Sequence, residues 1–178
     1  MPKYNLPVRV INFSGIFDLD KLYQGIYDWM INEGYNFEER QYKHKVPSPA
    51  GAEQHMKSWG WRNVTEYIKY VVNTYTLIRD MKDIEVIKDG KKTTLTKGMI
   101  RIEIGGYVET DWQGKYEATP FLLRIRKFME KYILGNRDGG IITTVYADEL
   151  DYKMIKLQTV IKDILDMETK ANAFYDMW

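Results

Sequence analysis

Few residues in this chain could do covalent chemistry. There are two histidines, His44 and His55, and no cysteine. The histidines flank a proline-rich stretch and fall in no H-E-x-x-H or comparable spacing, so no zinc site is indicated. The lack of cysteine removes thiolate nucleophiles, thiolate metal sites and disulfides together. A nucleophile would have to be Ser, Thr, Lys or a carboxylate, yet no G-x-S-x-G elbow, S-x-x-K pair, G-x-G-x-x-G or Walker loop occurs. Glu38 and Glu39 are adjacent, so on a strand they point to opposite faces and cannot share a proton. Asp80, Asp83, Asp89 and Glu109 fall on strands, strand ends and turns, where solvated structural roles are expected. The expectation is a protein that is not an enzyme and uses neither metal nor cofactor.

Chemistry of recognition is better represented. Lys88, Lys91 and Lys92 make the tip of a hairpin basic, and Arg124 and Lys127 lie on the polar side of a helix. Both are candidate phosphate contacts. Trp59 and Trp61, two positions apart, share one face of any strand that carries them. They either fill the core, the favoured reading, or stand out with Tyr70 as stacking platforms. Against nucleic acid stands the balance of 26 Lys plus Arg and 25 Asp plus Glu, a net charge of +1. Such a balance lacks the overall basic signature of an electrostatic binder.

These residues must be positioned by a sheet. Gly98 to Trp112 alternates Ile100, Ile102, Ile104, Gly106, Val108 and Trp112 with Arg101, Glu103, Glu109 and Asp111, the pattern of a strand with one wet face. Gly105 and Gly106 in its middle predict a bend, or the close approach of another backbone or a ligand. A partner strand follows from Thr65 to Asp80, where Ile68, Tyr70, Val72 and Ile78 oppose Lys69, Asn73 and Arg79. Residues 84–95 form a hairpin about Asp89-Gly90. Further strands are predicted over 7–17, over the polar, edge-like 35–46, and over 52–64. The stretch 46–51, with Pro47 and Pro49, is predicted to be a surface loop.

One helix interrupts the strands and a second follows them. Asp18 caps a helix from Leu19 to Glu33 that Gly34 stops. Thr119-Pro120 opens a second, whose apolar face of Phe121, Leu122, Ile125, Phe128, Met129, Tyr132 and Ile133 should lie on the sheet. After a linker at 136–143, Leu150, Met154, Leu157, Ile161 and Ile164 recur at steps of three and four. The spacing continues to Tyr175 and Trp178, a narrow coiled-coil seam. A helix over 144–178 would be ~50 Å long at 1.5 Å per residue, longer than such a domain is wide. Those seam residues, with Phe174, Tyr175 and Trp178, are the candidate partner-binding surface. The domain reading is therefore 1–135 as a sheet domain, 136–143 as linker, and 144–178 as a long helix with an aromatic tail.

This order predicts an α+β protein with a curved, mainly antiparallel sheet of about five to seven strands, helices packed on one face, and a long C-terminal helix. Over Pro7 to Leu165 the element order resembles the helix-grip, START-like domains, in which a curved sheet grips a long helix around an apolar cavity. The chain departs from that pattern in having one helix after the first strand and an extra linker and helix at the end. The resemblance implies an alternative function, carriage of a hydrophobic small molecule, with Trp59, Trp61, Tyr107 and residues of the second helix lining the pocket. The leading expectation is a structural or adaptor subunit of a larger assembly, a viral particle component being one setting, with a protein partner or a second copy bound by the C-terminal helix. Nucleic-acid binding is the third reading. No stretch has the length or apolarity of a signal peptide or membrane helix, so the expected location is intracellular or within a virion.

Overall fold

A computed structural model describes residues 2–48, 51–88, 91–132 and 140–167. Six strands form one antiparallel sheet: β1 (Lys3–Asn5), β2 (Arg9–Phe17), β3 (Asn36–Ser48), β4 (Gly51–Asn63), β5 (Ile68–Lys88) and β6 (Lys91–Thr110). Their order is β1-β6-β5-β4-β3, and β2 pairs with β6 beside β1. The sheet is not closed, and with its helices it makes the expected α+β fold.

The strands read as a 65–80 strand, an 84–95 hairpin and a 98–112 strand are one long β5–β6 hairpin. It is continuous because Asp80, at φ 53, absorbs a register shift between Arg79 and Lys82, so the chain passes an irregular point without leaving the sheet. Similarly, β3 runs through Pro47 to Ser48 where a loop was expected. An edge strand tolerates a residue without a backbone donor, and a second register shift falls there, between Lys45 and Ser48.

One face of the sheet is dry. Ile68, Tyr70, Val72 and Ile78 of β5 and Ile100, Ile102, Ile104 and Val108 of β6 are buried on it, as the alternation requires. Two helices cover this inner face. Helix α1 (Leu19–Asn32) is capped by Asp18, which accepts from the Lys21 amide, and turns back at Gly34 with φ 77. It buries Leu22, Ile26, Trp29 and Met30. Helix α3 (Asp148–Ile164), preceded by a wider π turn at Ile142–Ala147, buries Leu150, Met154, Leu157 and Ile161. Glycines on the strands let both helices come close. A Cβ at Gly60 would stand 2.9 Å from the Met30 sulfur, and one at Gly106 would stand 2.7 Å from that of Met154. The Gly105-Gly106 pair is thus a site of close approach, and the visitor is a helix.

Helix α3 stops at Ile164, far short of residue 178. Asp166 has φ 53, its amide donates to the Asp163 carbonyl at 3.2 Å, and the Met167 amide donates to the Lys162 carbonyl at 3.0 Å. That pair of bonds is a Schellman stop, closed by an aspartate where glycine is usual. Residues 168–178 lie outside the described residues.

Helix α2 (Pro120–Tyr132) departs most from expectation. None of its residues is buried, and Phe121, Phe128 and Tyr132 are exposed. It is held at the end of the sheet by polar contacts instead. Arg126 pairs with Asp111, Glu117 and Glu130, and Glu130 accepts from the hydroxyls of Tyr67 and Thr110. Asp111 is 2% exposed and Arg126 11%, so this ion pair is screened little by solvent. The amphipathic pattern was sound, but a charged anchor decides where the helix sits.

Candidate functional site

The outer face of the sheet, opposite α1 and α3, carries the candidates Trp59, Trp61 and Tyr107. On β4 the inward positions are Gln54, Met56, Ser58 and Gly60, all buried, so alternation turns Trp59 and Trp61 outward. This corrects the expectation that they fill the core. At Gly60, between the two tryptophans, α1 comes so close that no side chain fits, and the large rings take the other side. Apolarity alone points the wrong way.

Register then assembles a cluster. Trp61 lies opposite Val71, and Val71 opposite Tyr107; in the adjacent row Trp59 lies opposite Asn73, and Asn73 opposite Gly105. Trp59 and Tyr107, on the strands either side of β5, meet edge to face with ring centroids 6.1 Å apart. Around them lies a cleft of about 520 Å3, lined also by Lys3, Glu38, Arg40 and Lys69. Cations sit on the rings: the Arg40 guanidinium is 4.1 Å from the centre of Trp59, and Lys3 is 4.6 Å from that of Tyr107. Arg40 reaches Trp59 because β3 shifts register between Glu39 and Gln41.

The aromatic row continues. Lys57 lies 5.4 Å from the centre of the Tyr75 ring. The Tyr75 hydroxyl is 2.8 Å from His55 Nδ1, and His55 Nε2 is 2.8 Å from Glu53 Oε1. Sequence spacing considered His55 only as a metal ligand and missed this chain, which crosses between strands. A carboxylate that orients a histidine, which in turn holds a phenol, can serve proton transfer. Here it immobilises Tyr75 at the wall of a second cleft, about 630 Å3, whose other lining includes Leu77, Arg79 and Arg101. Lys69 lies 5.7 Å from the Trp112 ring centre. Trp112 leaves the inner-face alternation because Asp111, at φ 53, turns the chain just after β6.

The other candidates are distributed elsewhere. Tyr70 faces inward, is buried and donates to Glu149 at 2.9 Å, so it offers no stacking surface. Burial, then the Glu149 carboxylate, pushes its phenol up from the ordinary value. Lys88 pairs with Lys91 at the tip of the long hairpin, and the exposed Lys92 lies 3.6 Å from Glu85. Arg124 and Lys127 are exposed on α2, at the opposite end of that hairpin. Roughly 65 Å of strand separates the two ends at ~3.3 Å per residue. The two basic groups therefore do not converge with each other.

The seam of α3 is internal. Leu150, Met154, Leu157 and Ile161 are each 0% exposed, and the half-buried Ile164 packs on Gly25 of α1. They contact the protein's own sheet and helix, so they cannot at the same time be a surface for a partner. Phe174, Tyr175 and Trp178 lie outside the described residues. At Gly106 the space between α3 and the sheet is taken up by Met154 and Leu150. Helix α2 does not line the outer cleft. Among the described residues no cluster of three or more His, Asp or Glu could hold a metal ion, and no helix is long and apolar enough to cross a membrane.

No family model matches the chain. No curated protein matches it. Among solved structures, an uncharacterised protein from Rhizobium leguminosarum is 9% identical, with 88% of this chain and 99% of that one covered. Its TM-score of 0.19 carries no argument about fold or function.

Proposed function

We propose that this protein is a non-enzymatic binding subunit that holds single-stranded nucleic acid on the outer face of its sheet. The observation that carries the reading is the convergence of Trp59, Trp61 and Tyr107 in one cleft rimmed by Lys3, Arg40 and Lys69. Planar rings give bases a stacking partner of any sequence, and ammonium and guanidinium groups beside them meet the phosphates. A chain of net charge +1 can do this because cations sit beside rings of this face, Lys3 by Tyr107, Arg40 by Trp59 and Lys57 by Tyr75, although Glu38 lies 3.4 Å from Arg40 and Glu109 is in register between Lys3 and Lys69. Single strands are favoured over duplex because a sheet face stacks only bases that are unpaired.

The test is fluorescence anisotropy with labelled single-stranded and duplex oligonucleotides across a salt series. Preferential binding of single strands is expected, weakening steeply with salt. Trp59→Ala and Trp61→Ala should each cost ~1–3 kcal/mol of affinity while leaving the melting temperature nearly unchanged. Absence of binding at low salt, or binding indifferent to both replacements, ends the reading.

A second reading keeps the protein as a structural or adaptor subunit of an assembly. Phe121, Phe128 and Tyr132 support it, since 57–70% of each is exposed on α2. The Phe128 and Tyr132 rings lie 4.9 Å apart and tilted by 39°, an apolar surface of the kind protein partners cover. Charged replacements at Phe121 and Phe128 would then abolish co-purification of a protein partner from the native source and leave oligonucleotide binding intact.

A further inference from the structure

The two edges of the sheet are built differently. At one, β3 carries Glu38, Glu39, Arg40 and Lys43 on its exposed positions and is interrupted by two register shifts. Charges and bulges of this kind prevent a sheet from adding strands. At the other, β2 is nine residues with unbroken pairing to β6 from Arg9 to Phe17, and β6 is the only strand paired with it among the described residues. Its one charge, Arg9, is turned toward α3 and held by Asp151 at 2.7 and 2.8 Å. Its outward side chains include Val10 at 39% and Ile16 at 51% exposure. A long, regular, uncharged edge with exposed β-branched residues is the type that pairs with another strand.

We propose that β2 pairs with β2 of a second copy of this chain, antiparallel about a twofold axis at Phe13. Symmetry makes the argument specific. Around Phe13 the pairing sets Val10 opposite Ile16 and Asn12 opposite Ser14, each twice. The exposed apolar residues thus cover each other, and the exposed polar residues face polar ones. No like charges meet, because Arg9 falls opposite Phe17. An isologous contact of this kind closes on itself. The alternative of β2 against β3 would be head to tail and would grow into a filament, and the guarded β3 edge opposes it. The product is a dimer with one continuous sheet and α1 and α3 of both copies on the same side. This inference is independent of nucleic-acid binding.

Light scattering on the full chain over a range of concentrations should give twice the chain mass, falling to a single chain on dilution. Val10→Lys with Ile16→Lys places two ammonium groups from each copy at the contact and should shift the species to monomer at every concentration, with unchanged circular dichroism. Because the chain has no cysteine, Asn12→Cys with Ser14→Cys reports the register directly. Mild oxidation should join two chains covalently, and Lys43→Cys on β3 should not. A chain that is monomeric throughout overturns the proposal, as does a dimer that survives the paired lysines, a polymer, or failure of the double-cysteine protein to cross-link.

Discussion

Met154 of α3 rests on Gly106 of β6, with room between them for no side-chain atom: a Cβ there would stand 2.7 Å from the sulfur and 3.1 Å from the Val71 carbonyl oxygen. Gly106→Ala should therefore destabilise the protein by ~1–3 kcal/mol through overpacking, despite the gain from a less flexible unfolded chain. At Gly105 a Cβ would meet first the Asn73 side-chain amide, at 3.0 Å, which can rotate away, so Gly105→Ala should cost less, ~1 kcal/mol or below. Urea denaturation of the two variants checks the difference. Equal costs would mean that α3 does not press on the sheet as described.

Leu157 distinguishes a core residue from a partner contact. It is fully buried between α3 and the sheet, so Leu157→Ala should cost ~2–5 kcal/mol of stability and leave the subunit count of the folded fraction unchanged. Loss of association with undiminished stability would restore the seam as an external surface.

Arg126 is the anchor of α2. Its removal leaves Asp111, 2% exposed, without its cation, and deletion of one partner of a buried pair costs ~3–5 kcal/mol. Arg126→Ala should accordingly raise amide exchange throughout α2 while α1 and α3 keep their protection. Uniform loss of protection across all helices would show that α2 belongs to the same cooperative unit as the core.

Asp166 offers a gain. It holds the left-handed position that ends α3, a conformation that costs a non-glycine residue ~1 kcal/mol. Asp166→Gly should raise the stability by ~0.5–1 kcal/mol. Asp111 has the same φ but pairs with Arg126, so Asp111→Gly should destabilise instead. Thermal melts of the two should move in opposite directions.

Alkaline pH should unfold the protein through its phenols. Burial, then the hydrogen bond to Glu39, pushes Tyr23 up to about 12 from the ordinary 10.0. Burial also raises Tyr35, Tyr67 and Tyr70, with Glu130 and Glu149 adding to the last two. A phenol with a higher pKa in the folded state binds its proton more tightly there. Its stabilisation is complete below pH 10, the unfolded value, and is lost as pH rises through the folded value. Melting temperature should be flat up to about that pH and fall above it, with tyrosinate absorbance lagging behind that of the unfolded chain. Tyr70→Phe should reduce the slope. A melting temperature that keeps its value through that range would contradict the burial of these hydroxyls.

Several elements are legible without coordinates because their signals are local. Asp18 and Gly34 bracket α1, Pro120 opens α2, and the Ile100, Ile102, Ile104 alternation marks the buried face of β6. In each, neighbouring residues supply both the hydrogen bonds and the pattern, so the answer does not depend on distant chain. The absence of a thiol and of any nucleophile or metal motif is likewise a property of the sequence.

What tertiary structure alone decided is which side each element turns and what it meets. Trp59 and Trp61 face outward because Gly60 must face Met30, a contact with a helix thirty positions earlier in the chain. Tyr107 joins them only through the β4–β5–β6 register. The α3 seam has the spacing of a coiled coil, and that spacing is the same whether the facing surface is another helix or the protein's own sheet. Periodicity specifies that a face is covered; the long-range packing of α3 on β6 specifies by what. Arg126 shows the converse, since an apolar helical face stays open where a buried ion pair fixes the helix elsewhere.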